Sequence, residues 1–345
     1  MSELKHGSWK LSDLETVEKN GSKVFSFFSC AGGSTMGYKL AGYDVIGCCE
    51  IDKKMMAIYK ANHSPKHAYE MDIRDFNKIP DSELPKELFD LDILDGSPPC
   101  SSFSMSGARE RKWGKKNKFM EGQAEQVLDD LFFNFIDTAE KLNPKIIVTE
   151  NVKGLITGKA KGYVKQILRR FKDAGYETQF FLLNAAAMGV PQSRPRVFFI
   201  SNRMDYPKIK MEFNERQISV MEAFKGITTK GRDISHSVNY KYWKMCKPGD
   251  RFSKYYPRQM LFNWSVIPKD KPIPTLTSNC HAMCHYETMR LLSTDELLAL
   301  QTFPADFNLL EANERSICHV CGMSVPPFMM QRIVDQIHKQ WLLKS

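Results

Sequence analysis

Val24-Phe25-Ser26-Phe27-Phe28-Ser29-Cys30-Ala31-Gly32-Gly33-Ser34, residues 24–34 of a 345-residue chain, is a short apolar run that breaks into a diglycine turn. Thr35 to Leu40 then read as helix, and strand, glycine turn, helix is the order of a nucleotide-type site. Glycine has no Cβ, so Gly32 and Gly33 let a ligand approach the backbone closely. The next apolar run, Val45 to Cys49, ends in Glu50, seventeen residues past Gly33. A carboxylate there can accept hydrogen bonds from ribose hydroxyls. Taken alone, a diglycine turn and a strand-end acid fit many α/β proteins.

The pattern continues outward at the intervals of a parallel α/β fold. Strand-like runs at 24–28, 45–49, 92–95, 146–150, 177–183 and 197–200 alternate with helical stretches at 34–41, 53–61, 125–142 and 161–173. In the third helix Val127, Leu128, Leu131, Phe132, Phe135, Ile136 and Ala139 recur at three- and four-residue spacing, a core-facing stripe. Such alternation predicts a mostly parallel sheet flanked by helices, with ligands at the carboxyl ends of the strands.

Three of those strand ends carry chemistry. Leu94-Asp95-Gly96-Ser97-Pro98-Pro99-Cys100-Ser101-Ser102-Phe103-Ser104 places a cysteine behind two prolines. Their fixed φ angles hold the backbone, which suits a nucleophile better than a packing residue. Ile146-Ile147-Val148-Thr149-Glu150-Asn151-Val152 is a buried-strand pattern closing on an acid and an amide. In Val190-Pro191-Gln192-Ser193-Arg194-Pro195-Arg196-Val197 two arginines alternate into another strand, which predicts both guanidinium groups on one face.

With these motifs in this order, the chain resembles the DNA (cytosine-5) methyltransferases. The resemblance runs from Phe28 to about Ile333 and adds Leu300-Gln301-Thr302-Phe303-Pro304 and Gly322-x-Ser324-Val325-Pro326-Pro327 to the motifs above. It implies an S-adenosylmethionine-dependent, Rossmann-like α/β fold with a smaller, irregular target-recognition domain, and methyl transfer to carbon 5 of a cytosine flipped out of duplex DNA. Carbon 5 is a poor nucleophile until a thiolate adds at carbon 6, and Cys100 is the implied thiolate. Glu150 would serve N3 and the exocyclic amine. Arg196 would donate to the base O2, and Arg194 would position the base or its phosphate.

For S-adenosylmethionine the resemblance implies Phe28 flanking the adenosyl group, and Ser29, Ala31, Gly32 and Gly33 along the methionine tail. It places Glu50 on the ribose, Ile51 on adenine, Asp72 on the adenine amine beside Ile73, and Pro98, Leu131, Ser324 and Val325 nearby. DNA contacts would come from Ser101, Ser104, Arg109, Arg111, Lys115, Lys116, Lys118, Gln192, Arg251, Lys254 and Arg258. Two residues depart from the family: Cys30 stands where glycine is common, and Met323 replaces the usual asparagine before Ser324. A relative that methylates tRNA has a Cys-Phe-Thr signature absent here, and a binding-only relative would lack the thiol or the glutamate.

The net charge of +9 suggests a polyanionic partner. From Ser201 to Thr275 there are fifteen Lys and Arg against seven Asp and Glu, and Arg109 to Lys118 holds six basic residues around Trp113. The expected organisation is an N-terminal extension (1–22), a catalytic and cofactor-binding domain (23–202), the target-recognition domain (203–286) and a segment returning to the catalytic domain (287–345). No apolar run reaches eighteen residues and the first twenty are polar, so a cytoplasmic monomer acting on DNA is expected, with a separately encoded restriction endonuclease as a candidate partner. The nine cysteines are expected as thiols. Cys280-x3-Cys284 and Cys318-x2-Cys321, with neighbouring histidines, have a zinc-like spacing, but they fall in ordinary segments of the family, and no metal is expected.

Overall fold

The computed structural model describes residues 8–99, 130–157, 161–256 and 264–343. They divide into two compact units, one comprising Val17–Leu183, Pro195–Glu212 and Gln331–Ser345, the other Met1–Thr16, Asn184–Arg194 and Phe213–Met330. The expected boundary at 286 is absent from this division: residues 287–330 cluster with the 213–286 region. The physical reason is a set of buried polar contacts from Gln192 and Arg194 to Leu276, Gln301 and Gly322, described below.

The first unit holds a seven-stranded sheet of β1 (Lys23–Phe27), β2 (Asp44–Cys49), β3 (His67–Tyr69), β4 (Ile93–Gly96), β5 (Ile146–Val152), β6 (Glu177–Asn184) and β8 (Pro195–Asn202). The two-residue β7 (Gln192–Ser193) lies in the other unit. The spatial order is β3-β2-β1-β4-β5-β8-β6. Neighbours from β3 to β5 are parallel, and β8 runs antiparallel to β5. Strand order reverses between β1 and β4, so the chain after each of these strands opens onto the switch point where ligands bind in such sheets. The glycine turn follows β1, and Ser97-Pro98-Pro99 follows β4.

Helices α1 (Gly33–Leu40), α2 (Lys53–His63), α3 (Ile73–Phe76), α4 (Leu131–Leu142) and α5 (Lys161–Asp173) connect the strands. Asp52 starts α2 by accepting from the N–H groups of Lys54 (2.9 Å) and Met55 (3.2 Å), and Ser64 stops it in a left-handed conformation. The stripe read in the sequence is real: Leu131, Phe132, Phe135, Ile136, Ala139 and Leu142 are all buried on α4. Phe132 packs edge-on against Phe199 of β8 and Phe171 of α5. Each such ring contributes about 1.5–3 kcal/mol of burial. Residues 125–129 of the expected helix lie outside the described residues. The three-residue β3 is too short to leave a periodic signal and was not expected.

The second unit is irregular. β7 pairs with β10 (Ile273–Pro274), and β9 (Ser265–Val266) with β11 (Met283–Cys284). Its helices are the short α6 (Val220–Ala223) and α7 (Tyr240–Met245), then α8 (Thr294–Gln301) and α9 (Glu314–Met323); α10 (Pro327–Ile337) follows. Ser293 and Glu296 form a capping box on α8, and Glu296 holds Arg290 in a buried bidentate pair (2.7 and 2.6 Å). Ile234, Phe252, Val266, Cys284, Met289 and Leu291 make a small core, against which Tyr242, Trp243 and Trp264 pack. Several of the aromatics in the basic stretch are therefore structural. In the first unit, α10 is held by Tyr43 Oη donating to Val334 O (2.9 Å) and Gln331 Nε2 donating to Leu40 O (3.3 Å).

Beneath the glycine turn a buried acid joins three elements. Ser26 of β1 donates to Asp95 of β4 at 2.6 Å, and Tyr38 of α1 donates to its other oxygen at 3.4 Å. Burial pushes the Asp95 carboxyl up to about 7, the two hydroxyls pull it down, and the Glu150 charge pushes it up again. A raised carboxyl favours the fold fully below the unfolded value near 4, and that contribution is lost as pH rises through about 7. Asp95→Asn keeps an acceptor for Ser26 without the buried charge. Its melting temperature should exceed the parent's by a margin that widens from pH 5 to pH 7 and then levels off; a margin independent of pH would refute the assignment.

Candidate active site

A cleft of about 260 Å³ at the carboxyl ends of β1, β2 and β3 is lined by Phe27, Phe28, Cys49, Glu50, Ile51, Met71, Asp72, Ile73 and Leu131. Five of the sequence-predicted cofactor residues besides Leu131 are among them: Phe28, Glu50, Ile51, Asp72 and Ile73. Apolar side chains form most of the walls, and the carboxylates of Glu50 and Asp72 are the acidic groups among the lining residues.

Glu50 organises this cleft. Its Oε2 accepts from Cys30 N–H (2.8 Å) and its Oε1 from Asp52 N–H (2.9 Å), so one side chain ties the turn after β1 to the start of α2. Burial raises its carboxyl above the ordinary range, while the backbone N–H groups work in the opposite direction. Asp72 differs from the expectation. It caps α3 and holds Arg74 through Nε (2.9 Å) and Nη2 (2.5 Å), so its carboxylate is already engaged by a neighbour. Desolvation pushes its carboxyl up, but the Arg74 guanidinium and main-chain N–H together hold it below the usual carboxylate range.

The glycine turn owes its shape to a residue the sequence reading missed. His63, the last residue of α2, lies fully buried under the turn, with Nε2 3.3 Å from Ala31 O and its ring 4.4 Å from that of Tyr59. Gly32 has φ 91°, and a Cβ there would run into the imidazole. Burial pushes His63 down to about 3, so it stays neutral. Nothing in the local sequence marks it, because the contact spans 32 positions. Cys30 adopts φ 48°, in the left-handed region that favours glycine.

Glu150 and Asn151 close β5. Glu150 Oε1 pairs with Arg196 Nε at 2.7 Å, and both side chains are nearly buried. Burial opposes the Arg196 charge and the adjacent carboxylate supports it. Arg196 also donates through Nη1 to Pro195 O (2.9 Å). Asn151 Nδ2 donates to Pro98 O (3.1 Å), so the amide of one motif fixes the chain two residues before Cys100. Cys100 itself, Ser101, Ser104, Arg109, Arg111, Lys115, Lys116, Lys118 and Arg258 lie outside the described residues.

Arg194 and Gln192 are corrected by the structure. Arg194 is 1% exposed, and its guanidinium donates to Leu276 O (3.0 Å) and Gly322 O (2.8 Å). Gln192 is equally buried, donating to Gln301 Oε1 (2.6 Å) and accepting from Leu276 N–H (2.9 Å). These residues knit the second unit together and do not present themselves to a base or phosphate. The two arginines also have different partners: Arg194 lies between β7 and β8 and donates to Leu276 O and Gly322 O, whereas Arg196 lies on β8 and pairs with Glu150. Ser324 and Val325 are buried in the second unit, where Ser324 O accepts from Gln301 Nε2 (2.7 Å), while Met323 is exposed. Arg251 and Lys254 are exposed, the latter paired with Asp250 (3.1 Å). Among the described residues no group of three or more His, Cys, Asp or Glu could hold a metal ion, and no helix is long and apolar enough to cross a membrane.

The sheet order, with its single reversal and a cleft at the strand ends, defines a doubly wound protein of the α/β class. The chain belongs to the C-5 cytosine-specific DNA methylase family, whose model matches residues 22–339. It is 35% identical over 194 residues to the type II methyltransferase M.NgoPII of Neisseria gonorrhoeae, a match covering 56% of this chain and 51% of that protein. The aligned region thus spans about half the length of that relative. It is 28% identical to the type II methyltransferase M1.HphI of Haemophilus parahaemolyticus, over 90% of this chain and 85% of that one. A solved structure of a putative DNA modification methyltransferase from an E. coli prophage shares the fold, with TM-score 0.71 and 18% identity over 94% of this chain and all of that one.

The turn geometry yields a direct test. Cys30→Gly should keep the cleft, because glycine adopts φ near 50° freely. Cys30→Val should lose about 1–3 kcal/mol in urea unfolding and weaken S-adenosylhomocysteine binding by calorimetry, because a β-branched residue is strained there. A valine variant with parental stability and affinity would show that the left-handed turn is not required.

Proposed function

We propose that this chain transfers a methyl group from S-adenosylmethionine to carbon 5 of a cytosine in a specific duplex DNA sequence. The observation that carries the reading is the arrangement at the end of β5, where Glu150 is held by Arg196 and the next residue, Asn151, anchors Pro98 ahead of Cys100. An acid and a cation stand together at a strand end, and the proline-restricted approach to the thiol is tied to the same strand. S-adenosylmethionine would be held by Phe28, Glu50, Ile51 and Ile73, which line the cleft, and would supply an electrophilic methyl group.

The chain's residues would do the rest. The Cys100 thiolate adds to carbon 6 of the base and pushes electron density toward carbon 5. Glu150 holds N3 and the exocyclic amine, meeting the charge that develops on the ring and separating cytosine from thymine. Arg196 keeps Glu150 oriented and offers its remaining N–H groups toward the base O2. After transfer the carbon 5 proton leaves and Cys100 is expelled. A paired base cannot reach the thiol, so the cytosine must leave the stack.

The basic stretch 201–275 would engage duplex DNA and carry the sequence preference, with Arg251, Lys254 and Arg258 as contacts. The cluster Arg109 to Lys118, directly after the thiol, would clamp phosphates. The type II relatives support a place beside a separately encoded restriction endonuclease, with the enzyme acting as a cytoplasmic monomer on DNA.

Tritiated methyl transfer to duplex DNA, with tRNA as the comparison substrate, tests the activity. Cys100→Ser should abolish it while DNA binding survives, and DNA carrying 5-fluorocytosine at the target should trap the parent covalently but not the serine variant. Trapping of Cys100→Ser would remove Cys100 from the mechanism. Glu150→Gln should slow transfer by roughly 100- to 10,000-fold, and a loss of less than tenfold would place protonation at N3 elsewhere.

A further inference from the structure

A second cleft, of about 340 Å³, has Cys280, His281, Leu297, Glu314 and Cys318 among its lining residues, and the proposed reaction has no use for it. One cysteine from each of the two zinc-like pairs reaches it. α9 presents Cys318 and Gly322 one turn apart on a single face. A Cβ at Gly322 would run into the backbone of Thr277 and Ser278, so the segment leading to Cys280 lies directly on that face. Arg194 binds the same junction from both sides by donating to Leu276 O and Gly322 O. The close approach sets the two cysteines on the wall of one cleft, where their thiols interact. Both cysteines are 2% exposed, while His281 and Glu314 stand at the solvent side of the cleft.

We propose that Cys280 and Cys318 form an oxidisable dithiol, a modification site for hydrogen peroxide in which Cys318 attacks and Cys280 resolves. The Cys318 thiolate displaces hydroxide from peroxide and becomes a sulfenic acid, and that hydroxide takes up the proton Cys318 released, forming water. The Cys280 sulfur then attacks the sulfenic sulfur, and its proton leaves with the hydroxyl group as a second water. Two thiols lose two electrons in all, and one peroxide gains them.

The division of roles follows from the surroundings of the two thiols. The neighbouring Cys280 thiol holds the Cys318 thiol below its ordinary value, and interaction with Cys318 together with burial raises Cys280. Other cysteines are placed differently. Burial pushes Cys48 and Cys284 up to about 12, and Cys284 packs with Phe252 and Leu291. Cys321, three residues past Cys318 and fully buried, is the one competing partner that the test has to separate. The disulfide would tie the 276–284 segment covalently to α9, a junction now held by hydrogen bonds.

The test uses the full chain carrying Cys100→Ser, so that the nucleophile does not report. After peroxide treatment and alkylation, peptide mapping without reductant should show Cys280 joined to Cys318, with the loss of two titratable thiols and a higher melting temperature, both reversed by dithiothreitol. With Cys280→Ser added, no joined peptide should form, Cys318 should proceed to sulfinic acid, and the gain in melting temperature should vanish. Should that variant fail to fold, Cys318→Ala must leave Cys280 a thiol under the same treatment. Cys318 joined to Cys321, or both thiols surviving peroxide that oxidises the half-exposed Cys30 and Cys246, would overturn the proposal.

Discussion

A single carboxylate accepting two backbone N–H groups sets the geometry of the cleft at the ends of β1, β2 and β3. Glu50 stands at the end of β2, where it accepts from the N–H groups of Cys30 and Asp52. An unmet N–H in such a position costs about 1–3 kcal/mol, so the carboxylate stabilises the turn after β1 and the entry to α2 together. Its position also places it in the wall of the cleft, where ribose hydroxyls would find it. One side chain therefore ties the turn, the helix entry and the cleft wall together, and loss of either contact would displace the other.

The support under this arrangement is polar as well as apolar. His63 fills the space that Gly32 leaves, and Tyr59 packs at a tilt against it and shares a hydrogen bond of 2.9 Å with Thr35 of α1. Asp95 collects Ser26 and Tyr38 one layer below. α1 is thereby held to β1, β4 and α2 by directional contacts, which specify where the helix begins more narrowly than hydrophobic burial alone can. The left-handed conformations of Phe28 and Cys30 persist because these surroundings leave the turn no alternative.

The two arginines of the Gln192-x-Arg194-x-Arg196 motif show how far a spacing argument reaches. Alternation in a strand puts residues two apart on one face only where the strand is continuous. Here β7 ends at Ser193 and β8 starts at Pro195, so Arg194 sits in the break between them. Arg194 turns its guanidinium onto two main-chain carbonyls of its own unit, and Arg196 is drawn to Glu150 across the antiparallel β5–β8 pair. A proline between them, which cannot donate to a ladder, is the local cause.

Apart from the short β3 and α3, the strands and helices of the sheet, together with the glycine turn, the strand-end acids and the cysteine behind two prolines, were determined by the sequence itself. Periodicity, turn chemistry and strand-end placement are local properties, and each depends on residues within a few positions. The tertiary structure decided the rest. It made β8 antiparallel, put His63 under a glycine 31 positions away, engaged Asp72 with Arg74, turned Gln192 and Arg194 inward, and drew residues 287–330 to the second unit. Those outcomes depend on which distant groups are left without hydrogen-bond partners when the chain compacts, and one-dimensional spacing carries no information about that.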